Sequence, residues 1–324
     1  MTRLLVAGTG LIGARHLHFI EADPALTLAG VVDPAPKAAA DAPVFADLAA
    51  VDVPADGIVV ATPTATHAAL TIAALERGLH VLVEKPVADG LEAADRMIAA
   101  AAAHGRHVLV GHHRRHHPAL ARLREIVRGG AIGTPVAASV LWLMGKPDDY
   151  FDAPWRRGLD GGPVRQNLIH DVDMLRWLLG DVTAVAGLAS NAVRGTARPE
   201  SGGVALRFAG GAVATILYSD AAPSPWGWER AMGEAAPAIP YTGEDFLRVA
   251  GTAGSVEFPS LRVWSGAATW HDRPVPAREP VPAGEPLARQ LAHFADVVAG
   301  RADPLCDAAA GRANLDVVLR VEAS

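Results

Sequence analysis

Arg3-Leu4-Leu5-Val6-Ala7-Gly8-Thr9-Gly10-Leu11-Ile12-Gly13 stands near the start of the chain and runs on into Ala14-Arg15-His16-Leu17-His18-Phe19-Ile20. An apolar run of strand length meets Gly-x-Gly-x-x-Gly and passes into helical spacing, the context in which that pattern holds a dinucleotide. Gly8 permits the tight turn, Gly10 lets the backbone approach a pyrophosphate, and Gly13 lets helix and strand pack closely. The helix N-terminus adds free N–H groups and a partial positive charge. A second apolar run, Leu28-Ala29-Gly30-Val31-Val32, ends in Asp33, twenty residues after Gly13. An acid at that distance is expected to hydrogen-bond the adenosine ribose hydroxyls. The bland alternative is a glycine-rich turn with a capping Asp; strand, glycines, helix, strand and acid together weigh against it. The charge of Asp33 would repel a 2′-phosphate, so NAD is expected rather than NADP. No Arg follows Asp33 at once; Lys37 is four residues on.

A length of 324 residues suggests about two domains. Half the residues are hydrophobic and 20% are charged, ample for a packed core. The net charge of −6 and the lack of a long basic run argue against nucleic acid as a partner. Cys306 is the one cysteine, which excludes an intrachain disulfide and suits a reducing compartment. The first apolar run lacks a signal peptide's charged leader, and no stretch approaches eighteen uninterrupted apolar residues. A cytoplasmic protein without membrane contact is expected.

Strand and helix signals alternate up to about residue 118. Gly57 to Ala61 reads as a buried strand ended by Thr62-Pro63-Thr64, and His67 to Arg77 as a helix closed by Gly78. His80 to Val83 and His107 to Gly111 read as strands around a helix from Leu91 to Ala103. Such alternation implies a doubly wound parallel sheet with ligands at the carboxyl ends of its strands. The pattern then changes. A helix from Pro118 to Arg128 and a strand from Val136 to Met144 are followed by one clear helix, Leu168 to Leu179. Strand-like runs cover 182–190, 203–208, 212–219, 246–250, 255–258 and 261–264, which suggests a mostly antiparallel sheet. Asp272 to Pro286 carries five prolines and reads as a connector before two closing helices, 287–299 and 307–322. The loop from Asp220 to Gly243 is consistent with either a lid or a subunit-contact arm. The expected fold class is α/β: a Rossmann sheet in 1–118, then an α+β domain in 119–324 with a large, open, mostly antiparallel sheet.

Three groups are left for chemistry. Glu84-Lys85-Pro86 follows a strand end, and Pro86 biases Lys85 toward an extended backbone. A lysine beside a cationic ring has its pKa lowered, which suits proton transfer; a solvated Lys85–Glu84 pair is the equal alternative. In Gly161-Gly162-Pro163-Val164-Arg165-Gln166-Asn167-Leu168-Ile169-His170-Asp171-Val172-Asp173, Asn167, His170 and Met174 share a helix face. His170 can take a hydroxyl proton near neutral pH. From residues alone, a structural histidine at the helix start, with Asp171 and Asp173 serving the dipole, is slightly favoured. His112-His113-Arg114-Arg115-His116-His117 invites a metal, but adjacent side chains of one loop point apart, so none is expected. A polar loop touching cofactor or substrate fits better. Cys306 reads as a small apolar residue.

In order along the chain, Gly8-Thr9-Gly10-Leu11-Ile12-Gly13, Ala61-Thr62-Pro63-Thr64-x-x-His67, Glu84-Lys85-Pro86, Gly111 to Pro118, Gly161-Gly162…His170-Asp171-x-Asp173 and Gly251-Thr252-x-Gly254-Ser255 resemble the Gfo/Idh/MocA family of NAD(P)-dependent oxidoreductases. The resemblance spans essentially the whole chain. It implies hydride transfer between nicotinamide and a secondary alcohol of a sugar, cyclitol or sugar-acid-like substrate. It also implies a C-terminal sheet that joins subunits into a homo-dimer or homo-tetramer. It makes Lys85 and His170 catalytic. NAD would then be lined by Gly8, Thr9, Gly10, Leu11, Ile12, Gly13, Asp33, Ala61, Thr62, Pro63, His67, Glu84 and Lys85. The substrate would meet Arg114, Trp155, Arg156, Gln166, Asn167 and His170. The family often carries Asp four residues before that histidine, where this chain has Gln166. Two rivals are a hydrolase or lyase that recycles NAD, and a non-catalytic ligand sensor.

Overall fold

The computed structural model describes residues 1–38, 41–158, 161–234 and 236–324. They form two compact units, Met1–His116 with Glu285–Asp316, and His117–Gly284 with Val317–Ser324. The sequence places all of 119–324 in a second domain; the chain instead returns to the first unit at Glu285.

The first unit runs β1 (Thr2–Ala7), α1 (Leu11–Ala22), β2 (Leu26–Val32), β3 (Val44–Phe45), β4 (Gly57–Val60), α2 (His67–Glu76), β5 (His80–Val83), α3 (Leu91–His104) and β6 (Val108–Val110). Its six strands are all parallel, in the order β3-β2-β1-β4-β5-β6. That is the doubly wound dinucleotide-binding order, with the crevice where the order reverses beside β1. Every residue of β4 and β6 is buried, which is why these strands read as unbroken apolar runs.

The second unit begins with α4 (Pro118–Arg128) and β7 (Pro135–Leu143), and a π-helical turn over Val164–Leu168 leads into α5 (Ile169–Leu179). It continues with β8 (Val182–Ser190), β9 (Ser201–Phe208), β10 (Val213–Ser219), α6 (Trp228–Met232), β11 (Leu247–Gly251), β12 (Ser255–Phe258), β13 (Arg262–Ser265) and β14 (Val275–Arg278). Two helices follow, α7 (Pro286–Val298) and α8 (Ala308–Glu322). The eight strands are ordered β14-β13-β12-β11-β7-β10-β9-β8. All pairs are antiparallel except β7 with β10. Strand alternation divides the faces. Ala214, Ile216 and Tyr218 of β10 enter the core with Leu120 and Leu123 of α4 and Leu175 of α5. Val213 and Leu217 of the same strand stay exposed, as do Val136 and Leu188.

The return of α7 explains the unit boundary. Its Leu291 and Phe294 pack among Leu4, Val6, Val59 and Leu82 of the parallel sheet and Leu17 and Ile20 of α1. Two elements lie where the sequence reads loop. β14 sits inside the proline-rich connector as the exposed edge of the sheet, with Pro276 opposite Trp264. Pro is tolerated at an edge because the missing N–H has no ladder to break. Within 220–243, of which Ala235 lies outside the described residues, α6 carries the fully buried Trp228. Its ring stacks on Phe258 at 5.9 Å and meets Phe246 edge-on at 6.4 Å. This segment is therefore anchored in the core at its middle. Among the described residues no helix is long and apolar enough to cross a membrane.

Candidate active site

The three glycines divide the work as their spacing suggests. Gly8 has φ +87, and a Cβ there would lie 2.8 Å from the Ala61 carbonyl oxygen. A Cβ on Gly13 would lie 2.0 Å from the Gly8 carbonyl oxygen, so only glycine lets α1 approach β1 this closely. Gly10 is different: a Cβ there meets nothing within 4 Å. Gly10 is also the N-cap of α1, without a side-chain cap or an acid in the first turn, and Leu11 beside it is 86% exposed. The start of the helix at Gly10 and Leu11 thus has open space beside it, which fits a pyrophosphate.

Asp33 stands at the end of β2. Its Oδ2 accepts from the Thr9 N–H at 2.9 Å and the Thr9 hydroxyl at 2.7 Å, and its Oδ1 accepts from the Ala35 N–H at 2.9 Å. Burial pulls the Asp33 pKa up, but these bonds and the charge of Lys37 outweigh it and hold the carboxyl below its ordinary value. Thr9 is buried with its hydroxyl turned to Asp33 and accepting from the Lys37 N–H at 2.7 Å. Its role visible here is to position the acid.

At the next strand ends, Ala61 is buried, and the Thr66 hydroxyl bonds the Thr62 hydroxyl at 2.7 Å and the Pro63 carbonyl at 2.8 Å. His67 is buried, with Nδ1 2.9 Å from the Pro86 carbonyl oxygen and Nε2 2.9 Å from that of Thr62. Both ring nitrogens are spent on tying the turn after β4 to the turn after β5. Glu84 is buried as well. Its Oε1 lies 2.8 Å from His16 Nε2, and the Lys85 N–H donates to Oε2 at 3.3 Å. A Cβ on Gly111 would lie 2.9 Å from the Glu84 carboxyl carbon, so this glycine makes room for the acid. Desolvation pushes the Glu84 pKa up, yet the His16 bond and the charges of His16, His113 and Lys85 bring it down to about 2. Lys85 itself is half-buried. His16 and Gly111 were missed by sequence reasoning, since each looks like any residue of its helix or strand.

The histidine run comes apart into separate tasks. His112 is buried, and its Nε2 accepts from the Asn314 amide at 3.1 Å. Arg114 and Arg115 are buried too, and Arg115 bonds the Leu305 carbonyl at 2.7 Å. The His116 ring lies 5.1 Å from that of His293. His117 Nδ1 accepts from the Ala119 N–H at 3.1 Å and caps α4, with Pro118 in its first turn. Cys306 is buried, and its carbonyl accepts from the Val110 N–H at 2.8 Å.

In the second unit, Gln166 and Asn167 lie in the π-helical turn, an irregularity frequent at functional sites. Both are half-buried, while His170, Asp171 and Asp173 are buried. Asp171 lies in the first turn of α5, where a carboxylate complements the helix dipole. Arg165 in the same turn forms a two-pronged bond to Glu322, 2.8 Å on each oxygen. Asn167 Oδ1 accepts from Lys146 Nζ at 3.2 Å, and Lys146 Nζ is also 3.2 Å from the Tyr150 hydroxyl. Trp155 is 52% exposed, and the Arg156 guanidinium lies 4.2 Å from the Tyr150 ring centroid and 5.4 Å from the Trp155 ring. Lys146 and Tyr150 were also missed by sequence reasoning, because the side chains that place them come from residues far along the chain.

A parallel six-stranded unit with a glycine loop and a second unit built on an eight-stranded mixed sheet define a dinucleotide-binding class of two-unit proteins. The chain belongs to the Gfo/Idh/MocA family. Residues 2–112 match the model of the oxidoreductase family with NAD-binding Rossmann fold, and residues 120–257 match the GFO/IDH/MocA C-terminal domain. The chain is 32% identical over 167 residues to inositol 2-dehydrogenase 4 of Saccharopolyspora erythraea, covering 50% of this chain and 47% of that one. It is 29% identical to UDP-N-acetylglucosamine 3-dehydrogenase of Acidithiobacillus ferrooxidans, covering 97% of this chain and 95% of that one. The chain spans about half the length of the inositol dehydrogenase and of other curated relatives it matches. An oxidoreductase from Agrobacterium radiobacter, solved with NAD+, L-tartaric acid and magnesium, shares the fold with a TM-score of 0.81 at 16% identity, over 98% of this chain and 94% of that one.

The buried Glu84 has a consequence for pH. Its folded pKa of about 2 lies below the ordinary 4.5, so its contribution to stability is complete above pH 4.5 and is lost as pH falls toward 2. In urea titrations the wild type's advantage over Glu84→Gln is expected to be constant above that window and to shrink within it. A difference independent of pH across the window would mean that the carboxylate is not ionised.

Proposed function

We propose that the chain is an NAD-dependent dehydrogenase that moves a hydride between nicotinamide and a secondary alcohol of a sugar, cyclitol or sugar acid. The observation that carries this reading is the joint after β5, where Lys85 follows a buried carboxylate bonded to His16 of the nucleotide helix. Gly8 to Gly13 hold the pyrophosphate and Asp33 the ribose. Ala61, Thr62 and Pro63 line the cofactor, with Thr9, His67 and Glu84 setting these groups in place. Nicotinamide, when bound, supplies the hydride acceptor. His170 takes the hydroxyl proton, and Lys85 donates a hydrogen bond to the oxygen on which charge develops. Gln166 and Asn167, with Trp155, Arg156 and Arg114, orient the substrate's hydroxyls. The inositol and nucleotide-sugar dehydrogenases among its relatives support this alcohol class. The lone buried thiol suits a reducing cytoplasm.

We also read the outer face of the second sheet as a subunit contact. Val136, Leu188, Val213 and Leu217 are large apolar side chains exposed on strands of that sheet, and such patches mark association surfaces. A homo-dimer or homo-tetramer through this face is the expected assembly. Leu217→Glu should shift the mass measured by light scattering toward the monomer; a wild type that is itself monomeric would sink the assignment.

NADH absorbance against a panel of sugars, cyclitols and sugar acids tests the activity. Lys85→Ala is expected to lower turnover by about two orders of magnitude or more while NAD affinity stays close to wild type. Near-normal turnover of the variant would remove Lys85 from the chemistry. Turnover without added NAD, with cofactor retained through purification, would replace a dehydrogenase by a hydrolase or lyase that recycles NAD. Binding of NAD without any turnover would point to a sensor. With the charged Asp33 at the ribose, kcat/KM should favour NAD over NADP, and equal or higher values with NADP would overturn that preference.

A further inference from the structure

The turn from Lys146 to Gly158 brings two cations to one aromatic ring. Lys146 Nζ lies 4.3 Å and the Arg156 guanidinium carbon 4.2 Å from the centroid of Tyr150. Arg156 Nη1 donates to the Tyr150 carbonyl at 2.9 Å, while its Nε is buried without a hydrogen-bond partner among the described residues. Arg156 has no carboxylate partner among the described residues. Asp148, Asp149 and Asp152 of the same turn are exposed and form no ion pair among the described residues.

The carbonyls of these two residues are gripped from below. Arg194 Nη2 donates to the Lys146 carbonyl at 3.2 Å, and Arg198 Nε donates to the Arg156 carbonyl at 3.2 Å. Both gripping arginines share the fully buried Asp220, Arg194 on Oδ1 at 2.7 Å and Arg198 on Oδ2 at 2.7 Å. Their guanidiniums also flank Phe151, at 4.7 and 5.1 Å from its ring. The charges of Arg194 and Arg198 are thus answered within the scaffold by Asp220 and by Glu200, 3.7 Å from Arg194. An oxyanion would gain charge-assisted hydrogen bonds from the Arg156 guanidinium, which has no carboxylate partner among the described residues and is already held in place beside Lys146. Lys146 also holds Asn167, three residues before His170, which connects the pair to the helix of the proposed base.

We propose that Lys146 and Arg156 form an anion-selecting subsite, which takes a carboxylate or phosphate substituent of the sugar or cyclitol substrate. The proposal rests on the dehydrogenase reading, which it narrows from alcohols in general to acidic ones. Trp155 supplies an exposed apolar plate beside it for the sugar ring.

The test uses the full chain with NAD and matched triplets in three hexose configurations: the neutral hexose, its uronate and its 6-phosphate. Melting temperature and NADH formation are read for each. At least one charged member should raise the melting temperature and exceed its neutral partner by about tenfold in kcat/KM. Arg156→Met and Lys146→Met should each collapse that ratio, and Arg156→Lys should restore part of it. Should one of these variants not fold, the other still reads the ratio. Preference for the uronate names a carboxylate as the ligand, and preference for the phosphate names a phosphoryl group; either supports the subsite. Equal or better performance of the neutral member in every triplet overturns it. So does a preference that survives both Met substitutions, or the lack of stabilisation by any charged member. If a charged member stabilises the wild type but not Arg156→Met while no NADH forms, the subsite stands and the dehydrogenase reading fails.

Discussion

A buried carboxylate, Glu84, governs the first unit. Desolvation alone would neutralise Glu84, yet the His16 bond at 2.8 Å and neighbouring positive charge keep it ionised. The bond is possible only because α1 comes unusually close to the sheet. That approach depends on Gly13, where a Cβ would strike the Gly8 carbonyl, and the acid fits only because Gly111 has no side chain. The glycine loop, α1 and the β5 end that bears Lys85 are thereby tied to one another. Removing either partner of such a pair leaves a buried polar group uncompensated, typically at a cost of about 3–5 kcal/mol.

The second unit solves a similar problem with the opposite charge balance. There the buried Asp220 holds two arginines, Arg194 with the help of Glu200, and each arginine holds the backbone of a residue that carries a half-buried charge, Lys146 or Arg156. In both units a carboxylate out of reach of water sets the backbone, and the backbone sets the side chains that meet a ligand. Positioning of this kind lowers the ordering cost when a ligand arrives.

The stretches that resisted reading along the chain share a physical reason. Trp228 lies among prolines and glycines, so local pattern says loop; its ring is buried against Phe246 and Phe258, partners eighteen and thirty residues away. Val275 to Arg278 is a strand because β13 offers it an edge, although Pro276 argues otherwise. Residue order likewise does not show that the nitrogens of His67 lie 2.9 Å from the carbonyl oxygens of Pro86 and Thr62. Nor does it show that His112 meets Asn314, His116 meets His293 and His117 caps its own helix.

Period and punctuation determined the rest. Buried parallel strands show as unbroken apolar runs, amphipathic helices as i, i+3, i+4 spacing, and glycines at fixed offsets as a loop with no room for side chains. The parallel sheet, the mostly antiparallel sheet and the nucleotide loop with Asp33 at the end of the second strand were therefore legible from residue order alone. What only the tertiary structure decided is the partnership of groups distant in sequence. Glu84 with His16, Lys146 with Asn167, Asp220 with Arg194 and Arg198, and the return of α7 to the first core are of this kind. Local preference reports the conformation of a segment; it carries no information about which buried charge will face which, because that depends on packing that the whole chain settles at once.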